Sequence, residues 1–477
     1  MIGSPARAVL FRIARANYNW FSMLLPISDR KSAFSLFVLV FLTHGVSPNA
    51  TSADSIWTVP QMMSILSQGR TSLDEYSQEM KKQHYRAIEC VDSAYGVTTA
   101  DPVNGCGFAH PYGHYPIAVS VVAFPVFLAM DASLRICGPA IWSLIGPHFP
   151  TAVIKAFFYR DYRVSFALVE VVIGSFLIGV ATAVMFLTFR VFVPRFQATL
   201  LALLFAYGTA AWSTGSRALW QHGPAMMLLS IALYLLARRA ANPRVVAWTA
   251  APLTLAYFVR PVIAVVIASV ALYILFHYRS EFLRWCFFAF ATATPFFIYN
   301  AAVYHRLLQP YFVHQEFLPF SAGNIPRFLS ALAGQCISPS RGVFVFSPFF
   351  IFSVAGVWFA VRRKWEIPLT YYLAIAAALH WVIISAFAAW TAGFCFGPRY
   401  FSEITPLLMF FLVPAVQEYA KRGKPKLALA GFTLCAGIAV FIHMRGATVW
   451  AVEEWNPPDV NPARVWDWKD PQFLRGI

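Results

Sequence analysis

A chain of 477 residues that is 59% hydrophobic and 12% charged has too little polar surface to enclose a soluble core, and its composition points to a polytopic membrane protein. The net charge of +16 would raise nucleic acid as a partner in a soluble protein. No basic stripe with interleaved aromatics supports that, and the lysines and arginines cluster where loops set membrane topology.

Residues 1–31 carry Arg7, Arg12, Arg15, Arg30 and Lys31 ahead of the apolar run Ser32–Gly45. That order predicts a cytoplasmic N-terminus and an uncleaved first span. The longest polar insertion follows, over 45–163, and is expected outside. It opens with Ser52-Ala53-Asp54-Ser55. Thr58–Gly69 has the spacing of a short surface helix, Arg70–Asp101 is polar, and Pro111–Pro116 (PYGHYP) reads as turns. Cys90 and Cys106 both fall here. In an oxidising compartment they would close a loop of about 16 residues, worth roughly 3 kcal/mol; two free thiols are the alternative. The seven cysteines include no CxxC pair, so they are not expected to bind metal.

Ile117–Met130 is short for a span and is expected to lie in the interface or re-enter. The alternative is a crossing there plus a second one near Cys137–Phe149. Further apolar runs follow at Val164–Phe189, Phe196–Trp212, Leu219–Ala237, Val245–Phe258, Pro261–His277, Trp285–Tyr304, Val343–Val361, Pro368–Ala389, Tyr400–Val416 and Leu427–His443. Their alternation puts Arg190/Arg195, Arg238/Arg239/Arg244, Arg279/Arg284, Arg362/Arg363/Lys364 and Lys421–Lys426 inside. The short outer turns keep one arginine each: Arg217, Arg260 and Arg399. The expected fold is all-α, with about 11 transmembrane helices, outer juxtamembrane helices and an outer C-terminus. The membrane domain spans 32–443, with outer loops at 45–163 and 305–342. The tail 444–477, rich in Trp and Pro (Trp450, Trp455, Pro457, Pro458, Trp466, Trp468), is expected to pack on the outer rim.

Ionisable groups collect at the predicted outer boundary: Asp54, Glu170, Arg217, His222, Arg260, Arg341, Arg399 and Glu403. Charge at a span boundary marks either a site or an anchoring side chain that snorkels. Asp54 suits a general base or metal ligand, or the N-cap of the following helix. Arg399 and Glu403, four residues apart behind Gly393, Gly397 and Pro398, are expected to pair. An arginine held by a rigid turn suits phosphate, because its planar fork matches phosphate oxygens. Arg341, before the run Val343–Val361, invites the same reading. His222, in WQHGP (220–224), could move a proton or simply hydrogen-bond at the interface.

Taken together, the acidic residue after the first span, the outer juxtamembrane helices, WQHGP (220–224), SPSRGVFVFSP (338–348) and WTAGFCFGPRYFSE (390–403) resemble bacterial membrane glycosyltransferases of the C-type fold. These include relatives of protein O-mannosyltransferases and lipid A aminoarabinose transferases. The resemblance covers Asp54 to Pro406. It implies a bacterial inner-membrane enzyme that takes a sugar from a polyprenyl phosphate and passes it to a cell-envelope lipid, glycan or protein on the periplasmic face. It places Asp54 at the family's first-loop acid, the catalytic base. Arg217, His222, Arg260, Arg341, Arg399 and Glu403 are then expected to bind phosphate and sugar. A second acid often present at the start of the fourth span is replaced by Trp220-Gln221-His222, which leaves the acceptor and a divalent cation at Asp54 open. Two other classes remain: a polyprenyl-linked polymerase or ligase of surface glycans, and a lipid-linked sugar transporter or flippase. The early organising loop disfavours the first, and the outer position of the charges disfavours the second.

Overall fold

A computed structural model describes residues 27–92, 96–149, 151–313, 317, 321–423, 425–456 and 462–477. Arg7, Arg12, Arg15, Pro457 and Pro458 lie outside the described residues. Helices dominate, and among the described residues five are long and apolar enough to cross a membrane. The chain runs α1 (Ile27–Gly45), α2 (Thr58–Gln68), α3 (Ala118–Ile145), α4 (Tyr162–Arg190), α5 (Arg195–Tyr207), α6 (His222–Ala237), α7 (Ala250–Val259) and α8 (Ala264–His277). It continues with α9 (Arg279–Tyr304), α10 (Ile325–Ile337), α11 (Phe350–Arg363), α12 (Ile367–Ser385), α13 (Thr405–Phe410), α14 (Leu412–Lys421) and α15 (Lys426–Thr448).

The apolar runs become rods that pass back and forth between two ends. Helix α4, 29 residues and about 43 Å long, is the central rod, with α1 and α6 packed along it. At one end the predicted basic clusters meet. Asp29 accepts bonds from Arg190 and Arg195, Arg239 pairs with Glu366, and Glu418 holds Arg363 and Arg422. Phe192 packs on Trp365, and Gln417 caps the Phe192 carbonyl. Residues far apart in the chain therefore gather at this end.

At the other end, the site end, the rods are broken. Helix α5 stops at Tyr207 and a single π turn, Ala211–Gly215, follows. Gly223 lies so close to that turn that a Cβ would sit 2.4 Å from the Gly215 carbonyl oxygen. The run Val343–Val361 breaks at Ser347-Pro348, where proline offers no N–H. Ser347 Oγ instead donates to the Gly208 carbonyl, so two broken rods are tied to each other.

One expectation is corrected here and one is refined. The apolar run at Ile117 does not stop at Met130. It continues as one 28-residue helix, α3, through the segment read as a second short crossing. It is long enough to span, yet its contacts fall on the site end. Ser120 bonds Gln61 of α2, Phe127 packs on Tyr162, and Asp131 accepts bonds from Arg160 and Tyr162. Its first half is thus held by α2 and by the start of α4. The all-α expectation is also qualified by a small antiparallel sheet in the first loop, in the order β2 (Gly96–Thr99), β1 (Ile88–Asp92), β3 (His110–Gly113). Cys90 on β1 is disulfide-bonded to Cys106, which pins this sheet. The described part of the tail is packed: Trp455 is fully buried and donates to the Asp470 carbonyl, and Trp466 reaches Ser330.

Candidate active site

The broken rods leave a cavity of about 180 Å³ at the site end. Its wall includes Asp54, Tyr115, Trp220, Gln221, His222, Arg260, Tyr311, Phe387, Arg399 and Tyr400. Residues from the first loop, the α6 start, the α7–α8 turn, the second loop and the 390–403 turn thus meet in one place.

Asp54 is held from two sides. Arg399 Nη1 donates to its Oδ2 at 2.8 Å, and Arg86 Nη2 lies 3.7 Å from Oδ1. Burial alone would raise the pKa of this carboxyl, but the charge and hydrogen bond of Arg399 outweigh it and hold it below the usual value. Asp54 is therefore ionised at neutral pH. Tyr115 shares a hydrogen bond with it, and burial pushes the phenol pKa upward, so Tyr115 stays protonated. The loop carrying Asp54 is fixed from behind by Glu170 of α4. Its two oxygens accept Ser52 Oγ at 2.8 Å, Ser55 Oγ at 2.5 Å and the Leu219 amide at 3.0 Å. One buried carboxylate thereby ties together two walls of the cavity.

Arg260 forms the second cationic group. Its Nε donates to Glu403 Oε1 at 3.0 Å, and Nη1 reaches Gln221 and the Tyr311 hydroxyl. Arg260 and Arg399 both lie over the Tyr400 ring, and Arg399 also stacks on Trp220 at 4.7 Å. Four N–H groups of wall residues are buried without a hydrogen-bond partner: Trp220 Nε1, Gln221 Nε2, Arg260 Nη2 and Arg399 Nε. Buried donors are normally satisfied, so a cluster of unsatisfied ones calls for an oxygen-rich, anionic ligand.

The structure sorts the expected site residues. Asp54, His222, Arg260 and Arg399 line the cavity. The expected Arg399–Glu403 pair is not formed. The chain takes a 3₁₀ turn at Arg399–Phe401, and Arg399 turns to Asp54 while buried Glu403 pairs with Arg260 and His222. Glu403 sits behind the wall as their shared anchor. Arg217 and Arg341 are corrected more strongly. Arg217 spends its five N–H groups on the carbonyls of His44, Ser47 and Asn49 and the hydroxyls of Ser175 and Ser216. Arg341 spends its own on the carbonyls of Ser340, Thr391 and Gly393 and on Gln472 and Asn456. Neither retains a donor for phosphate; each is a clamp on irregular backbone.

Reading the sequence missed Tyr115, Gln221, Tyr311, Tyr400 and Arg86. Tyr115, Gln221 and Tyr400 stand inside or beside quoted motifs, so adjacency was an available signal. Tyr311 and Arg86 had none. Arg86 is presented by a turn in which His84, Tyr85 and Ala87 all take positive φ, a strained arrangement for non-glycine residues. Among the described residues, no group of three or more His, Cys, Asp or Glu side chains gathers to hold a metal. Asp54, the one carboxylate named in the wall, is engaged by Arg399. Comparison with protein-family models, with curated proteins and with solved structures returned no match.

Proposed function

We propose that this chain is an integral membrane glycosyltransferase. It moves a sugar from a polyprenyl phosphate to a hydroxyl acceptor on the outer face of a bacterial inner membrane. One observation carries the reading: an ionised carboxylate, Asp54, shares a cavity with two arginines that each keep a buried, unpartnered N–H. The membrane frame adds support. The basic clusters gather at the end opposite the cavity, as the positive-inside rule asks of a cytoplasmic end. The Cys90–Cys106 disulfide lies on the cavity side, which suits an oxidising compartment. About eleven crossings, with α3 at the outer surface, belong to this reading; five of the described helices are long and apolar enough to cross a membrane.

In this mechanism the acceptor oxygen attacks the anomeric carbon as the bond from that carbon to the phosphate oxygen breaks. The bonding pair leaves with the phosphate. Asp54 takes the acceptor proton, and Arg399 and Arg260 stabilise the developing charge on the phosphate. As Arg399 engages phosphate its hold on Asp54 loosens, which raises the basicity of the carboxylate when the proton must move. A single displacement inverts the anomeric centre. The pair of arginines proposed to hold phosphate is therefore Arg399 with Arg260, and not Arg341 or Arg217.

The test is sugar transfer from a radiolabelled polyprenyl-phosphate sugar in right-side-out and inverted vesicles, with wild type beside Asp54→Asn. Transfer that depends on Asp54 and on access to the outer face is expected. Full activity of Asp54→Asn would remove Asp54 from the mechanism. Movement of the lipid across the bilayer without transfer would favour a flippase.

A further inference from the structure

Helix α10 lies in the second outer loop, between the end of α9 and the start of the 343–363 rod. One of its faces is packed. Ala331, Gly334 and Gln335 are buried, Gln335 Nε2 donates to the Trp390 carbonyl at 2.8 Å, and Trp381 of α12 donates to the Leu332 carbonyl at 3.1 Å. The opposite face carries Ile325, Leu329, Ala333 and Ile337, spaced by four and all exposed. Ile325, Leu329 and Ile337 leave 49%, 56% and 52% of their surface uncovered. A row of exposed aliphatic side chains opposite a packed face is costly in water and natural in hydrocarbon.

What covers this row is indicated by its neighbour. Helix α12 is one of the helices long and apolar enough to cross a membrane. It exposes its own row, Tyr371, Ile375 and Leu379, and α10 is fastened to it through Trp381. The two exposed rows thus belong to adjoining helices, so the medium that solvates one reaches the other. The N-terminal part of α10 also abuts the cavity. Arg327 donates to the Ala388 carbonyl, and the adjacent Phe387 is part of the cavity wall.

We infer that α10 lies in the plane of the membrane with Ile325, Leu329, Ala333 and Ile337 in the hydrocarbon boundary, and that it forms the rim over which a lipid-borne substrate reaches the cavity. The second half rests on the sugar-transfer reading; the membrane placement does not. An in-plane helix of 13 residues extends about 20 Å, enough to border the cavity from α12 to the second loop.

The experiment places p-benzoylphenylalanine in turn at Leu329, at Ile375 and at exposed Asp101. The protein is irradiated in vesicles of phosphatidylethanolamine and phosphatidylglycerol. Lipid adducts at Leu329 and Ile375, with none at Asp101, are expected. Adducts at Ile375 but not at Leu329 would overturn the placement, and a dimer cross-link at Leu329 would overturn it in favour of a second copy. The rim is tested with Leu329→Asp. The expected result is a KM raised about tenfold for a long-chain donor, with kcat and the use of a short, water-soluble donor unchanged. An equal effect on both chain lengths would overturn the rim role. If the wild type transfers no sugar at all, the proposed function fails, while the cross-link at Leu329 still decides the membrane placement.

Discussion

The two ends of the bundle are both rich in arginine and use it in opposite ways. At the basic end the guanidiniums of Arg195, Arg363 and Arg422 are half-exposed to solvent and bind the carboxylates of Asp29 and Glu418 beneath them. Such pairs are screened, and each contributes little. At the site end Arg217, Arg260 and Arg341 are buried, and Arg399 is nearly so. A buried guanidinium must satisfy its N–H groups, so its partners define its task. Arg217 and Arg341 are satisfied in full by carbonyls, hydroxyls and amides, and they hold irregular backbone together. Arg260 and Arg399 each pair with a carboxylate, line the cavity and keep one nitrogen donor without a partner. Partner chemistry, rather than residue type or position along a span, separates the clamps from the site.

The contrast is broken most severely at the site. Arg399→Ala should lower transfer by about three orders of magnitude while the detergent-solubilised protein stays monodisperse on size exclusion. Arg341→Ala should do the reverse. It strips partners from several buried acceptors and is expected to cost about 3–5 kcal/mol, seen as lost expression or a sharply lower melting temperature. An Arg341→Ala protein that folds normally but cannot transfer sugar would reverse these assignments.

Two smaller effects sharpen the comparison. Buried Glu453 in the tail has no hydrogen-bond partner for either carboxylate oxygen. Burial pushes its pKa up to about 7, against the lowering pull of Arg341 and Arg399. The folded state therefore holds this proton more tightly than the unfolded one, and stability falls as pH rises from about 4.5 to about 7. Glu453→Gln should raise the melting temperature at pH 8, by up to about 2–3 kcal/mol of stability, and leave it unchanged at pH 4. At the basic end, Arg422→Ala should leave both melting temperature and transfer unchanged within error.

Much of this architecture was legible because it depends on local composition. Alternating apolar runs and basic loops respond to one physical demand, the cost of placing charge in hydrocarbon, and that demand acts on each segment separately. Asp54 could be found by its place after the first rod, and Arg399 by the glycines and proline beside it. The partners could not. Arg399 and Asp54 are 345 residues apart, and Glu403 lies closer in sequence to Arg399 than to the Arg260 it actually holds. A helical i, i+4 pairing was the wrong guess, since a 3₁₀ turn at 399–401 swings the two side chains apart.

What the sequence determined by itself was the apolar, membrane-spanning character of the helices and the neighbourhood of Asp54, both properties of short stretches read against a bilayer. Only the tertiary structure decided which arginines keep an unpartnered donor, that α3 packs on α2 and on the start of α4, that Glu170 fastens the Asp54 loop, and that α10 turns an aliphatic edge outward. Each of these depends on which distant groups meet when the rods break at the site end, because a buried donor or acceptor takes whatever partner the packing brings within reach.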